Sequence, residues 1–321
     1  MELPHVRDMQ ASAPPVEIAL SHAGVAGVQK AIRIRRGEQE ILMAAEIDCT
    51  VDLASGQKGV HMSRFPELFD EAIDEAVLGE GLLVEALADR IASQIVERQG
   101  ALRAEVRIVA RWPLRRRTPV TDLVTQEMVS LIGMAAANGR RSRRVVGVEA
   151  TGINACPCAQ DLVRGRAAER LADAGYDADE IDRILELVPI ATHNQRGRGT
   201  LLVGTAEELD AEGLVEIVEQ SMSAPVYELL KRADELHVVE EAHSRPRFVE
   251  DSVRVALKAL LDAYPGLSDD DFALSRQRNL ETIHDHDVVA ERFGTIGELR
   301  AELEGRSPGA QTALATWLDP G

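Results

Sequence analysis

QEILMAAEIDCTVDL (39–53) alternates apolar and polar positions, the two-residue period of a strand with one buried face. Just upstream, VEIALSHAGVAGVQKAIRI (16–34) has the same character, and Gly or charge bounds both, so the two read as a strand pair. Two helical patterns follow, FPELFDEAIDEAV (65–77) and LLVEALADRIASQIVERQ (82–99). In the second, Leu83, Ala86, Leu87, Ile91 and Ile95 form a stripe at helical spacing. LRAEVRIVARW (102–112), LVTQEMVSLIGMAA (123–136) and RVVGVEATGI (144–153) return to strand character. The second half roughly repeats this order. GTLLVGTAE (199–207) and DFALSRQRNLETIH (271–284) read as strands; EGLVEIVEQS, PVYELLKRADE and VEDSVRVALKALLDAY read as helices. The expected fold class is α+β, two tandem modules over 16–155 and 191–310, each an antiparallel sheet with helices on one face. Residues 1–15 read as a disordered arm. Residues 156–190 read as a helical insertion, two short helices around Gly175, the second capped by Asp177 or Asp179 and closed by Pro189.

The chain has 321 residues, 45% of them hydrophobic, enough for a sizeable core. Aromatics are only 3%, so that core leans on Val, Leu, Ile and Ala. No apolar run reaches the length of a membrane span, and MELPHVRDMQASAPP lacks the pattern of a signal peptide. Three cysteines are too few for a disulfide scaffold, which points to a reducing cytoplasm. The net charge is −18, with Lys only at Lys30, Lys58, Lys231 and Lys258. Such a surface suits a halophile, where salt screens self-repulsion, and equally a genome that favours Arg codons. Either way it disfavours nucleic acid, and an anionic substrate needs a local basic pocket.

TGINACPCAQ (151–160) sets two of the three cysteines either side of one proline. That spacing strains an intramolecular disulfide, and Pro157 marks a tight bend at a strand end. A thiolate there is a soft ligand for zinc or iron; two small buried residues in a turn are the plain alternative. ATHNQRGRGT (191–200) offers His193 as an imidazole ligand and Arg196 and Arg198 as phosphate donors, or is a solvated loop. KRADE (231–235) is either a charged helix end or a set of cationic and carboxylate groups at a site. In FVED (248–251), Glu250 and Asp251 either complement a helix N-terminus or present a carboxylate to a donor–donor edge such as that of guanine. In NLETIHDHDVV (279–289), Glu281 and His284 can share one site only if the chain bends there. GVHMSRF (59–65) adds His61, Ser63 and Arg64. Together these point to metal-assisted hydrolysis of an anionic substrate.

HMSRF (61–65), TGINACPCAQ (151–160), THNQRGRG (192–199), KRADE (231–235), FVED (248–251) and ETIHDHD (281–287) resemble, in order, the motifs of the type IB GTP cyclohydrolase I family. The Ala-rich CPCAQ form and the helical insertion before THNQRG are most similar to its archaeal MptA branch. The resemblance spans residues 16 to 300 and implies a tunnelling fold whose subunits assemble around a shared barrel, usually as a homotetramer. It implies GTP as substrate, opening of the imidazole ring at C8 by metal-activated water, and loss of formate. The product it implies is 7,8-dihydroneopterin 2′,3′-cyclic phosphate in the archaeal branch and the triphosphate in bacterial members. It implies one divalent metal per subunit, Fe(2+) foremost with Mn(2+) or Zn(2+) as alternatives. Cys156, His193 and Glu235 correspond to the metal ligands, Glu281 and His284 to the acid–base pair, and Glu250 to the guanine anchor. His61, Arg64, Arg196, Lys231 and Arg232 are assigned by charge to the phosphate end, and Cys158 to packing behind Cys156. A different pterin- or queuosine-pathway enzyme on the same fold would not be expected to carry the whole motif set. A non-catalytic metal-storage protein would bind metal without turning over GTP.

Overall fold

The computed structural model describes residues 10, 12–36, 39–76, 83–307 and 309–319. Most of the expected arm at 1–15 lies outside them. The strand pair is present as β1 (Leu20–Arg36) and β2 (Gln39–Leu53), an antiparallel hairpin. In β2 the alternation is realised as burial: Met43, Ala45, Ile47, Cys49, Val51 and Leu53 face the core, while Leu42, Ala44 and Glu46 are exposed. Helices α1 (Arg64–Ala76) and α2 (Val84–Gln99) follow, then β3 (Arg103–Arg117), β4 (Val124–Asn138) and β5 (Ser142–Ala155). After α3 (Pro157–Asp173) and α4 (Ala178–Leu187) come β6 (Asn194–Gly204), α5 (Ala211–Gln220), β7 (Ala224–Pro225), α6 (Arg232–Ser244) and α7 (Val249–Ala263). The chain ends with β8 (Phe272–Leu280), β9 (Val288–Thr295), α8 (Ile296–Leu303) and α9 (Leu314–Leu318).

The α+β class holds, but the expectation of two tandem modules does not. The described strands form one nine-stranded antiparallel sheet, ordered β1-β2-β3-β4-β5-β6-β8-β9, with β7 on β5. The reason is the ladder between β5 and β6, which pairs continuously from Val145↔Gly204 to Ala155↔Asn194. Those strands stand either side of the expected boundary, so the halves share backbone hydrogen bonds instead of abutting. They also share a core. A single apolar cluster runs from Ile47 through Leu87 and Ile91 to Leu201, Leu214, Leu260 and Ile296, where α1, α2, α5 and α7 cover one face of the sheet. On the other face Trp317 of α9 lies over β5, β6 and β8, its ring 5.7 Å from that of Phe272.

Two local expectations also change. PVYELL is not helical: Pro225 belongs to β7, which pairs with β5 at Gly152 and Ile153. The helix starts instead at Arg232, where the Asp234 carboxylate accepts from the Lys231 N–H at 3.0 Å. Strand β9, not foreseen, completes the edge beside β8. Between β5 and β6, Asp177 caps α4 through the Glu180 N–H, Glu180 returns the bond, and Gly175 turns the chain at φ 97°. No residue of α3 is buried, so this hairpin projects from the sheet.

Leu201 of β6 is fully buried in the shared core. Leu201→Ala is expected to lower the unfolding free energy by ~2–5 kcal/mol. In a Trp317→Phe background, urea melts followed by Trp112 of β3 should shift by the same amount as melts followed by circular dichroism. A Trp112 transition that ignores the substitution would show that the halves unfold separately.

Candidate active site

Strand β5 runs into α3 through a single residue, Cys156, which is the N-cap. Pro157 takes the first helical position, where a missing N–H costs nothing. The Cys156 sulfur accepts from the Ala159 N–H at 3.5 Å, at the positive end of α3. The Cys156 N–H donates to the His193 carbonyl at 3.1 Å, and the Thr192 hydroxyl donates to the Cys156 carbonyl at 3.0 Å. These bonds extend the β5–β6 ladder by one rung and set Cys156 opposite His193. Strand β8 ends at Leu280, opposite Arg196, and the chain then bends as Thr282 Oγ1 donates to the Asn194 carbonyl at 3.2 Å. The bend brings Glu281 Oε2 to 3.9 Å from His193 Nδ1, with the two side chains 6% and 16% exposed.

His193 Nδ1 is buried and, among the described residues, has no hydrogen-bond partner. A buried ring nitrogen without a donor or acceptor is costly unless something else binds it. A thiol, an imidazole and a carboxylate form a donor set that suits zinc or ferrous iron. Among the described residues no three of His, Cys, Asp or Glu are gathered tightly enough to hold an ion by themselves. The arrangement is an open one: Cys156 facing His193, with Glu281 alongside.

The other expected residues are spread over several elements and are not brought into contact with this pair. His284 is exposed, its ring stacked on His286 at 5.0 Å. Glu250 is exposed on the first turn of α7, and Lys231, Arg232 and Glu235 are exposed at the start of α6. His61 and Arg64 lie at the start of α1, in the first half of the chain. Cys158 does not pack behind Cys156; it is exposed, because the first turn of α3 carries it outward. Arg196 alternates to the face of β6 opposite Gln195 and lines a cleft of about 290 Å³ with Arg111, Glu127, Thr151 and Glu219. The cleft opens where β4 stops pairing with β5, beyond Ser130↔Glu149.

Residues 6–290 match the family described as type I GTP cyclohydrolase folE2. The chain belongs to that family. It is thus an enzyme that acts on GTP. A GTP cyclohydrolase MptA of Methanococcus aeolicus is 40% identical over 308 residues, covering 92% of this chain and 99% of the relative. Those of Methanosarcina mazei and Methanothermobacter thermautotrophicus are each 40% identical over 92% of this chain and 96% of the relative. Among solved structures, uricase from Arthrobacter globiformis shares the fold at a TM-score of 0.50 and 8% identity, over 86% of this chain and 93% of that one. The cyclohydrolase chain therefore has a uricase-like tunnelling fold built on one sheet. Among its described residues no helix is long and apolar enough to cross a membrane.

Two buried carboxylates were not anticipated. Asp234, next to Glu235 in KRADE, is fully buried and accepts from the N–H groups of Val120, Thr121 and Lys231 and from the Thr121 hydroxyl at 2.6 Å. Burial raises its pKa, but these hydrogen bonds outweigh that and hold it well below the usual carboxylate range. It ties the β3–β4 turn to the start of α6, and its place three residues after Lys231 is the only trace it leaves in the sequence. Glu219, buried at the cleft and paired with Arg116, is pushed up to about 7 by burial against the pull of that guanidinium. The folded state therefore holds the Glu219 proton more tightly than the unfolded chain. Its contribution to stability is present in full below about 4.5 and is lost as pH rises through about 7. Glu219→Gln, neutral throughout, is expected to gain stability relative to the parent across that window in urea denaturation at stepped pH. A difference that stays flat over it contradicts the shift.

Proposed function

We propose that the chain is a metal-dependent GTP cyclohydrolase that opens the guanine imidazole ring at C8, releases formate and, as a pterin side-chain hydroxyl displaces pyrophosphate from the α-phosphorus, yields 7,8-dihydroneopterin 2′,3′-cyclic phosphate. The observation that carries the metal reading is the unpartnered, buried Nδ1 of His193, opposite Cys156 and 3.9 Å from Glu281. Cys156 and His193 would hold one divalent ion per subunit, Fe(2+) foremost and Mn(2+) or Zn(2+) as alternatives. Glu235, at the exposed start of α6, is the carboxylate ligand the resemblance implies, and Glu281, 3.9 Å from His193, is kept for proton transfer. Such an ion supplies Lewis acidity that makes water a nucleophile near neutral pH.

The remaining work falls to side chains. Glu281 accepts a proton from the attacking water, and His284 delivers one to the ring nitrogen released as the C8–N bond breaks. Glu250, at the head of α7, accepts from the guanine N1–H and N2–H₂ and fixes the ring's orientation. Lys231 and Arg232, with His61, Arg64 and Arg196, provide cationic donors to the phosphates. These groups are dispersed over one chain, and among the described residues β1 and β9 pair on one side only, which supports assembly into a barrel as a homotetramer. The 40% identity to enzymes named MptA supports the cyclic phosphate. The acidic, Lys-poor composition suits a halophilic setting as well as an Arg-favouring genome, and the low cysteine count supports a cytoplasmic one.

Anaerobic incubation with GTP and ferrous or manganous ion, at low and high salt, should release formate and give a pterin with the mass of the cyclic phosphate. A triphosphate product would move the chain to the bacterial outcome, and no formate from a folded, GTP-binding sample would reject the enzyme reading. Cys156→Ala is expected to abolish metal-dependent release, and Glu281→Gln to slow it ~10²–10⁴-fold. Cys158→Ser should leave the rate nearly unchanged; equal losses from both cysteines would overturn the assignment of Cys156.

A further inference from the structure

Beneath the Cys156–His193–Glu281 group lies a layer of polar side chains sealed from solvent. Asn154, Ser223, Ser252, Asn279, Gln277 and Gln195 are all 5% exposed or less. Asn154 Nδ2 donates to Ser252 Oγ at 3.2 Å and to Asn279 Oδ1 at 3.1 Å. Asn154 Oδ1 accepts from the Ser223 N–H at 3.2 Å, and Ser223 Oγ accepts from the Ala155 N–H at 3.1 Å. Gln277 Nε2 donates to the same Asn279 oxygen at 3.0 Å. One network thus joins β5, β8, the first turn of α7 and the segment entering β7.

Its placement follows the strand ends. Asn154 stands two residues before Cys156, Gln195 two after His193 and Asn279 two before Glu281, so the layer occupies the last strand positions before the chain leaves the sheet toward each site residue. Ser252 stands two residues after Glu250 on α7. The strand glycines make the space. Gly152, Gly197 and Asn279 lie in one row across the sheet. A Cβ at Gly197 would meet Gln277 Nε2 at 2.4 Å and Asn279 Oδ1 at 3.1 Å. An apolar layer would satisfy packing without the desolvation cost of buried amides, whereas a connected amide network imposes one relative geometry.

We infer that Asn154 and Asn279 are positioning residues: their network locks the ends of β5 and β8 and the head of α7 together. It thereby sets the spacing of Cys156, His193, Glu281 and Glu250. The inference rests on the site proposed above, and its test has one arm that needs neither metal nor turnover. Asn279→Leu removes the acceptor shared by Asn154 and Gln277; Asn279→Asp keeps an acceptor for both. In metal-free protein, Asn279→Leu should speed amide exchange at Ala155 and Cys156 by ~10–100-fold, the cost of orphaned buried donors, and leave Val146 and Val148 unchanged. With metal and GTP, the same variant should lower kcat ~10–100-fold with KM little changed. Asn279→Asp should restore both readouts.

Parent-like exchange and kcat in Asn279→Leu would overturn the inference. So would an Asn279→Asp as impaired as the leucine variant, because shape alone would then explain the site. If Asn279→Leu does not fold, Ser252→Ala, which removes one Asn154 acceptor, should move exchange at Ala155 and Cys156 in the same direction, and no change there overturns the inference. A parent enzyme that releases no formate rejects the proposed function, and the exchange arm still decides on the network.

Discussion

Backbone hydrogen bonds between β5 and β6 run from Val145–Gly204 to Ala155–Asn194, and one more carries Cys156 onto His193. Without that ladder the two halves of the chain would be separate sheets. With it, helices from both halves cover one apolar layer, and Leu201 of β6 belongs to the same core as Ile47 of β2. The ladder also ends at the site, so a register shift of one residue between β5 and β6 would put Cys156 and His193 on opposite faces of the sheet. Fold and site therefore rest on the same hydrogen bonds.

Around this axis the chain places charge with care. Asp234 is buried but fully supplied with donors, so it stays ionised and clamps the β3–β4 turn to α6. Glu219 has one strong donor, Arg116, and the carboxylates of Glu127 and Glu216 nearby, so burial holds its proton to about 7. The contrast shows that the number of donors, more than depth, decides the charge of a buried carboxylate in this molecule.

Much of this was legible in residue order. Period-two runs such as 39–53 became strands because one face met the core, and the stripe in 82–99 became α2. Ordered motifs pointed to the family because each is a cluster of chemically unusual residues. Other features were hidden. Two repeats of strand and helix look alike whether they form two sheets or one, since pairing between β5 and β6 is a long-range property that neither strand's composition records. Glu281 could be linked to His193 only through the bend after Leu280. The amide layer was missed because Asn154, Gln195 and Asn279 read as ordinary polar residues; the glycines at 197 and 199, unusual inside a strand, were the signal that something crosses there. Cys158 was misplaced because a Cys-Pro-Cys bend reads as a turn, while in the fold it opens a helix.

The projecting hairpin of α3 and α4 has one more consequence. Its two ends are already joined, by the Cys156 N–H to the His193 carbonyl and by Thr192 to Cys156. The entropy of closing that loop is met by the sheet, and it grows only slowly with length. Between Pro157 and Ala191 the chain is thus a detour that leaves and returns at the same rung. Segments of other lengths, or a whole folded domain spliced in at the exposed Gly175 turn, can occupy it while Cys156 and His193 keep their places. The rung that sets Cys156 against His193 is in this sense independent of the length of the segment that separates its two halves in sequence.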